Sequence, residues 1–175
     1  IGPIYFSRAE KKPEVEVSYM NGTERIVLSK DDYDITYENN INVANQFIEN
    51  APVIIVTGKG SYGGTLRKTF TIEPEPLDES NDDFDITAAS ALYMGTEATT
   101  TVTVIAKDGT PLVEGTDFEM GAYRDNINAG TAYVTIHGIG NYSGSREVPF
   151  QIIAPDYTDS FRIAEIPEQT YTGKP

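Results

Sequence analysis

The chain has 175 residues, enough for one mid-sized domain or two small ones, and its 27 acidic against 13 basic residues give a formal charge of −14. That field repels phosphate backbones and anionic headgroups, so nucleic acid and bare membrane are excluded as expected partners. The chain has no cysteine, which excludes disulfides and thiolate metal sites, and no apolar run approaches the roughly 20 residues of a membrane helix.

Taken from the N-terminus, IGPIYFSRAEKK lacks the charged-then-apolar order of a signal peptide, so any export signal is expected outside this stretch. Val15, Val17 and Tyr19 alternate with Glu16 and Ser18, the period of two of a half-buried strand. Asn21-Gly22 follows, a pair that tolerates positive φ in a tight hairpin. Tyr33, Ile35 and Tyr37 alternate next, and a strand through Ile55 leads into TGKGSYGG and a returning strand that buries Phe70 and Ile72. The segment EPEPLDESNDDFD, Glu73 to Asp85, is rich in proline and acids and is expected to be extended and stiff. Beyond it Val102, Val104 and Ala106 alternate before a second hairpin signal, Asp108-Gly109. Phe118 and Met120 alternate until Gly121 adds a residue, which predicts a bulge. Tyr133, Thr135 and His137 share one strand face opposite Val134 and Ile136, and HGIGNYSG then turns into a strand burying Phe150 and Ile152. No segment has helical periodicity, which sets aside a β-grasp fold.

Compared with itself, the chain repeats these landmarks. TGKGSYGGTLRKTFTI (Thr57 to Ile72) matches HGIGNYSGSREVPFQI (His137 to Ile152) at a shift of 80 residues. DDYDITYENNINV matches TDFEMGAYRDNINA with one extra residue near Met120-Gly121, and VEVSYMNG matches VTVIAKDG. Phe161 falls on Phe84 and Tyr171 on Tyr93, as the opening of a third copy, while Tyr5 is placed at the Tyr93 position of a first copy that lacks most of its opening strand. The reading is all-β: a module over 1–74, an acidic linker over 75–83, a module over 84–154, a linker over 155–160 and the start of a third module over 161–175, with seven or eight short strands in each full module.

YTGKP, KDGTPLVEGTDFEMGAYRDNINAGTAYVTIHGIGNYSG and the closing VPFQI together resemble the tandem Ig-like repeats of surface proteins from Firmicutes and related bacteria. The second copy follows that pattern nearly throughout, with Phe118 for the usual tyrosine. The first departs from it, because NNINVANQFIENAPVII replaces the short NAGTA turn. The resemblance implies tandem small Ig-like β-sandwich modules in an elongated array, extracellular and cell-wall associated, monomeric, with no catalytic residues or cofactor. Its partners are then the flanking repeats and domains of the same polypeptide. The alternative is an adhesin-type binding module that recognises a host glycan or protein.

Individual residues are weighed in that frame. His137, the only histidine, has Thr57 as its counterpart and lacks the positioned nucleophile of a catalytic base, so an ordinary exposed histidine is expected. The glycines Gly58, Gly60, Gly64, Gly138, Gly140 and Gly144 precede a strand rather than a helix, which argues against a phosphate loop and for positive φ and close approach at a corner. Tyr62 and Tyr142 in that corner are the ligand-binding candidates of the adhesin reading. The favoured role for them is structural, with each ring folded over the sandwich end. Asp78, Asp82 and Asp83 are the weak metal candidates, with calcium as the ion, but the second linker keeps only Asp156 and Asp159 and solvated charge is favoured. Lys107, the only lysine of the second copy, lies in a hairpin turn and is expected to be exposed, which argues against a lysine–asparagine crosslink.

Overall fold

The computed structural model describes residues 2–158, 160–165, 167–168 and 173. Tyr171 and Asp159 lie outside these residues. The protein is all-β, with thirteen strands, one 3-10 turn at Lys30–Asp32 and no α-helix among the described residues. Six strands fall before residue 77 and seven between residues 84 and 153, where seven or eight in each half were expected.

The N-terminal half holds a hairpin, β1 (Ser18–Asn21) and β2 (Glu24–Val27), and a three-stranded antiparallel sheet of β3 (Tyr33–Glu38), β4 (Val53–Gly58) and β5 (Thr65–Thr69). Gly22 turns the hairpin with φ +63, the conformation that glycine adopts without steric cost. Tyr33, Ile35 and Tyr37 face inward while Asp34, Thr36 and Glu38 face solvent, as their alternation predicts. A short strand, β6 (Glu75–Pro76), follows.

The second half packs a two-stranded layer, β7 (Phe84–Ala88) with β9 (Val102–Ala106), against a four-stranded sheet. That sheet has the order β10 (Phe118–Arg124), β11 (Gly130–Gly138), β13 (Ser145–Ile153), β8 (Ala91–Leu92). The layers meet because each strand is apolar at alternate positions. Val102, Val104 and Ala106 point inward from one layer, and Phe118, Val134, Ile136 and Val148 from the other, all buried in one cluster. The arrangement is sandwich-like.

The predicted bulge is present: the β10–β11 register slips between Met120 and Tyr123. In β3–β4 the matching register runs without a break from Tyr33↔Gly58 to Glu38↔Val53. A Cβ on Gly121 would collide with the His137 ring and the Thr135 carbonyl, so the bulge gives the imidazole its room. His137 is thereby half-buried, which corrects the exposed position expected for it, and its Nδ1 lies 2.7 Å from Ser145 Oγ.

Hydrogen bonds recur pairwise between the halves. Leu28 N donates to Val17 O and Leu112 N to Val104 O, both at 2.9 Å. Asn40 Nδ2 donates to Lys11 O and Asn126 Nδ2 to Ala98 O, again both at 2.9 Å. Each asparagine follows a residue in the left-handed region, Asn39 at φ 54 and Asp125 at φ 59, where asparagine and aspartate are tolerated best. The same comparison shifts one expected match. Phe6 N bonds Glu73 O as Tyr93 N bonds Ile153 O, so Phe6, not Tyr5, occupies the Tyr93 position.

Two further expectations are corrected. Phe161–Glu165 is not a strand, because a strand exists through its partner, and the described residues contain none that pairs with it as β9 pairs with β7. The Glu73–Asp85 segment is extended, as its prolines dictate, but it is docked on the second half rather than free. Leu77 is 0% exposed, and β6 pairs in parallel with β12 (Tyr142–Ser143).

Candidate functional site

The two glycine corners have the same geometry. Gly58 N donates to Gly64 O at 3.0 Å and Tyr62 N to Lys59 O at 3.0 Å, and Gly138 N donates to Gly144 O at 2.9 Å and Tyr142 N to Ile139 O at 3.1 Å. Gly60, Gly64, Gly140 and Gly144 have φ of +60, +93, +65 and +81. Gly58 and Gly138 serve close approach instead: a Cβ there would lie 2.6 Å from Tyr62 O and 2.7 Å from Ser143 N. Both roles expected of these glycines are present.

The corners differ in what packs on them. Glu75 N donates to Asn141 O at 3.0 Å and Leu77 N to Ser143 O at 2.7 Å, which seats the linker on the second corner. Tyr142, 5% exposed, lies under it with Phe6 and Phe84 edge-on at 5.5 and 5.9 Å. It is no exposed platform, and its removal from the ligand-binding candidates has a plain cause: the linker and Phe6 cover the ring. Burial pushes its hydroxyl pKa up. Asn141 Oδ1 accepts from Val43 N at 3.0 Å, so the longer loop of the first half also reaches this joint.

Arg8 closes the joint. Its Nη1 donates to Glu75 Oε2 at 2.8 Å and to the Tyr142 hydroxyl at 3.0 Å, and its Nε to Asp108 Oδ2 at 2.7 Å. Burial works against its charge, yet the bonds to Asp108, Tyr142 and Glu75 outweigh it and hold the guanidinium pKa above its usual value. The same bond from Arg8 lowers the Asp108 pKa to about 2. Arg8 has φ 62, and Gly95, two residues past Tyr93 as Arg8 is two past Phe6, has φ 75. A non-glycine residue costs about 1–3 kcal/mol in that region and persists where surrounding contacts over-determine it.

Tyr62 is half-buried beside Tyr19, ring centroids 6.0 Å apart, and the electrostatic influence of that neighbouring phenol, followed by desolvation, raises the Tyr62 hydroxyl pKa. Asp78 makes a turn: it accepts from Ser80 N at 2.9 Å, and the Ser80 hydroxyl lowers its pKa. Asp156 accepts from Thr158 N at 2.8 Å in the same way. Asp83 faces exposed Lys107 at 3.2 Å, and Asp82 is exposed. Asp78, Asp82 and Asp83 do not converge, and among the described residues no three His, Asp or Glu side chains are grouped to hold a metal ion. No helix among the described residues is long and apolar enough to cross a membrane.

Sequence reading does not single out Arg8, Glu75, Asn40 or Asn126. The asparagines leave a trace in the matched NNIN and DNIN stretches, whereas Arg8 has glycine at its matched position and leaves none. No family model matches the chain, and no curated protein and no solved structure matches it significantly.

Proposed function

We propose that the chain is a non-catalytic spacer from a bacterial cell-surface protein, built of tandem Ig-like modules, that holds other domains at a distance. The observation that carries this reading is the joint of Arg8, Glu75, Leu77 and Tyr142, which ties two corresponding halves into one continuous body. Backbone nitrogen-15 relaxation tests the joint. A spacer gives β4 and β11 one shared, axially elongated diffusion tensor, and independent tumbling of the two strands would overturn the reading.

A further inference from the structure

The two halves differ in one internal connection. Residues 39–52 join β3 to β4, whereas residues 125–129 join β10 to β11, so the first half carries a long loop where the second has a tight turn. The loop is pinned along its length. Ala44 and Ile72 exchange backbone hydrogen bonds at 3.2 and 3.0 Å, Gln46 N donates to Thr71 Oγ1 at 3.1 Å, and Asn45 Oδ1 accepts from Phe47 N at 3.0 Å. Together with the bond from Val43 N to Asn141, these ties order the loop and leave its apolar side chains in solvent. Phe47 is 84% exposed, Ile48 54% and Ile41 43%. Packing gives no reason to hold an aromatic ring there, and an apolar patch on an ordered loop marks a recognition surface.

The same loop forms a hollow of about 420 Å³, lined by Asn39, Asn40, Asn42 and Asn50 together with Ile41 and Ile48. Its chemistry selects the ligand. No charged side chain lines the hollow, and Glu49 is the only charged residue between Asn39 and Thr57, so an ionic ligand finds no counter-charge. A pocket for a protein's anchor residue is mostly apolar, and here amides predominate. Each side-chain amide offers a donor and an acceptor side by side, which is what a pair of neighbouring hydroxyls requires. The Asn50 side chain is exposed and has no hydrogen-bond partner among the described residues, so its amide is available. The Phe47 ring supplies a second feature, because its electron-rich face attracts the weakly positive C–H hydrogens that cover one side of a pyranose. Amides and an exposed ring on a pre-ordered loop suit a sugar.

We propose that the loop over residues 39–50 binds a neutral glycan, with Phe47 stacked on a pyranose face and the amides of the hollow bonded to its hydroxyls. This activity lies beyond the spacer role and does not depend on whether the two halves move as one body.

A glycan array carrying short cello-, malto-, manno- and galacto-oligosaccharides, beside sialylated and sulfated glycans, tests the proposal on the 175-residue chain. The strongest neutral probe is then titrated into nitrogen-15-labelled protein. Binding to neutral sugars is expected, with amide shifts centred on Ile41, Phe47 and Ile48 and an affinity unchanged by added salt. Phe47→Ala should weaken binding by about tenfold or more, and Asn50→Ala should weaken it as well. Both variants should keep the wild-type unfolding midpoint, because both side chains are exposed. Phe47→Trp, which keeps an aromatic face, should retain binding. A folded chain that binds no neutral sugar at millimolar concentration overturns the proposal and leaves the patch to a protein partner. Preference for the acidic glycans, shifts centred away from the loop, or binding that survives Phe47→Ala also overturns it.

Discussion

Arg8 concentrates the molecule's energetics in one side chain. It holds a strained φ while bonding Glu75, Asp108 and Tyr142, so two substitutions separate the two effects. Arg8→Ala loses the bonds and keeps the strain, and should lower unfolding free energy by about 1–3 kcal/mol. Arg8→Gly loses the same bonds but relieves the backbone, and should be the milder by about 1 kcal/mol. Urea denaturation of both checks the order; equal losses would mean that the left-handed φ is unstrained. The pH dependence follows from Asp108. Its pKa falls from 3.8 to about 2 on folding, so its contribution is complete above about pH 4 and disappears as pH falls through 2. Arg8→Ala should flatten the urea midpoint across that window. At the corners, Gly138→Ala forces a Cβ onto the Ser143 backbone and should cost about 1–3 kcal/mol or more. Gly121→Ala meets chiefly the movable end of His137 and should cost less, with His137→Ala recovering part of the loss in a double-mutant cycle.

At the scale of elements, the docking of the linker sets Leu77 apart from Leu66. Leu77→Ala should destabilise by roughly 2–5 kcal/mol, since the side chain is fully buried. Leu66→Ala, at 67% exposed, should change stability by no more than about 0.5 kcal/mol. Thermal or urea unfolding of the pair measures the contrast, and a Leu77→Ala loss as small as that of Leu66→Ala would contradict the docking of β6. Strand pattern was legible wherever one face was buried locally. The alternation in β3, β9 and β11, the two hairpin turns and the Gly121 bulge all follow from nearest neighbours along the chain. The linker was legible only in its backbone: prolines make it extended, but its partner strand lies beyond residue 140, and composition carries no record of such distant pairing. Tyr142 illustrates the same limit, because its ring is covered by Phe6 and Phe84 from two remote segments. β5 fails in the opposite sense. It falls at the position of β13 in the repeat, yet its five residues are all exposed, with Lys68 where β13 buries Val148.

For the whole molecule, one polar and aromatic joint of Arg8, Glu75, Tyr142, Phe6 and Phe84 connects the two halves, and the proposed spacer role makes length rather than a cleft the property to measure. Small-angle scattering, extrapolated to zero concentration, tests this most directly. A compact chain of this length has a radius of gyration of about 16 Å. A spacer gives a value well above that, with a distance distribution skewed toward long vectors, and an Arg8→Ala, Leu77→Ala variant whose profile broadens as the joint loosens. A symmetric distribution with a radius of gyration near 16 Å would contradict it.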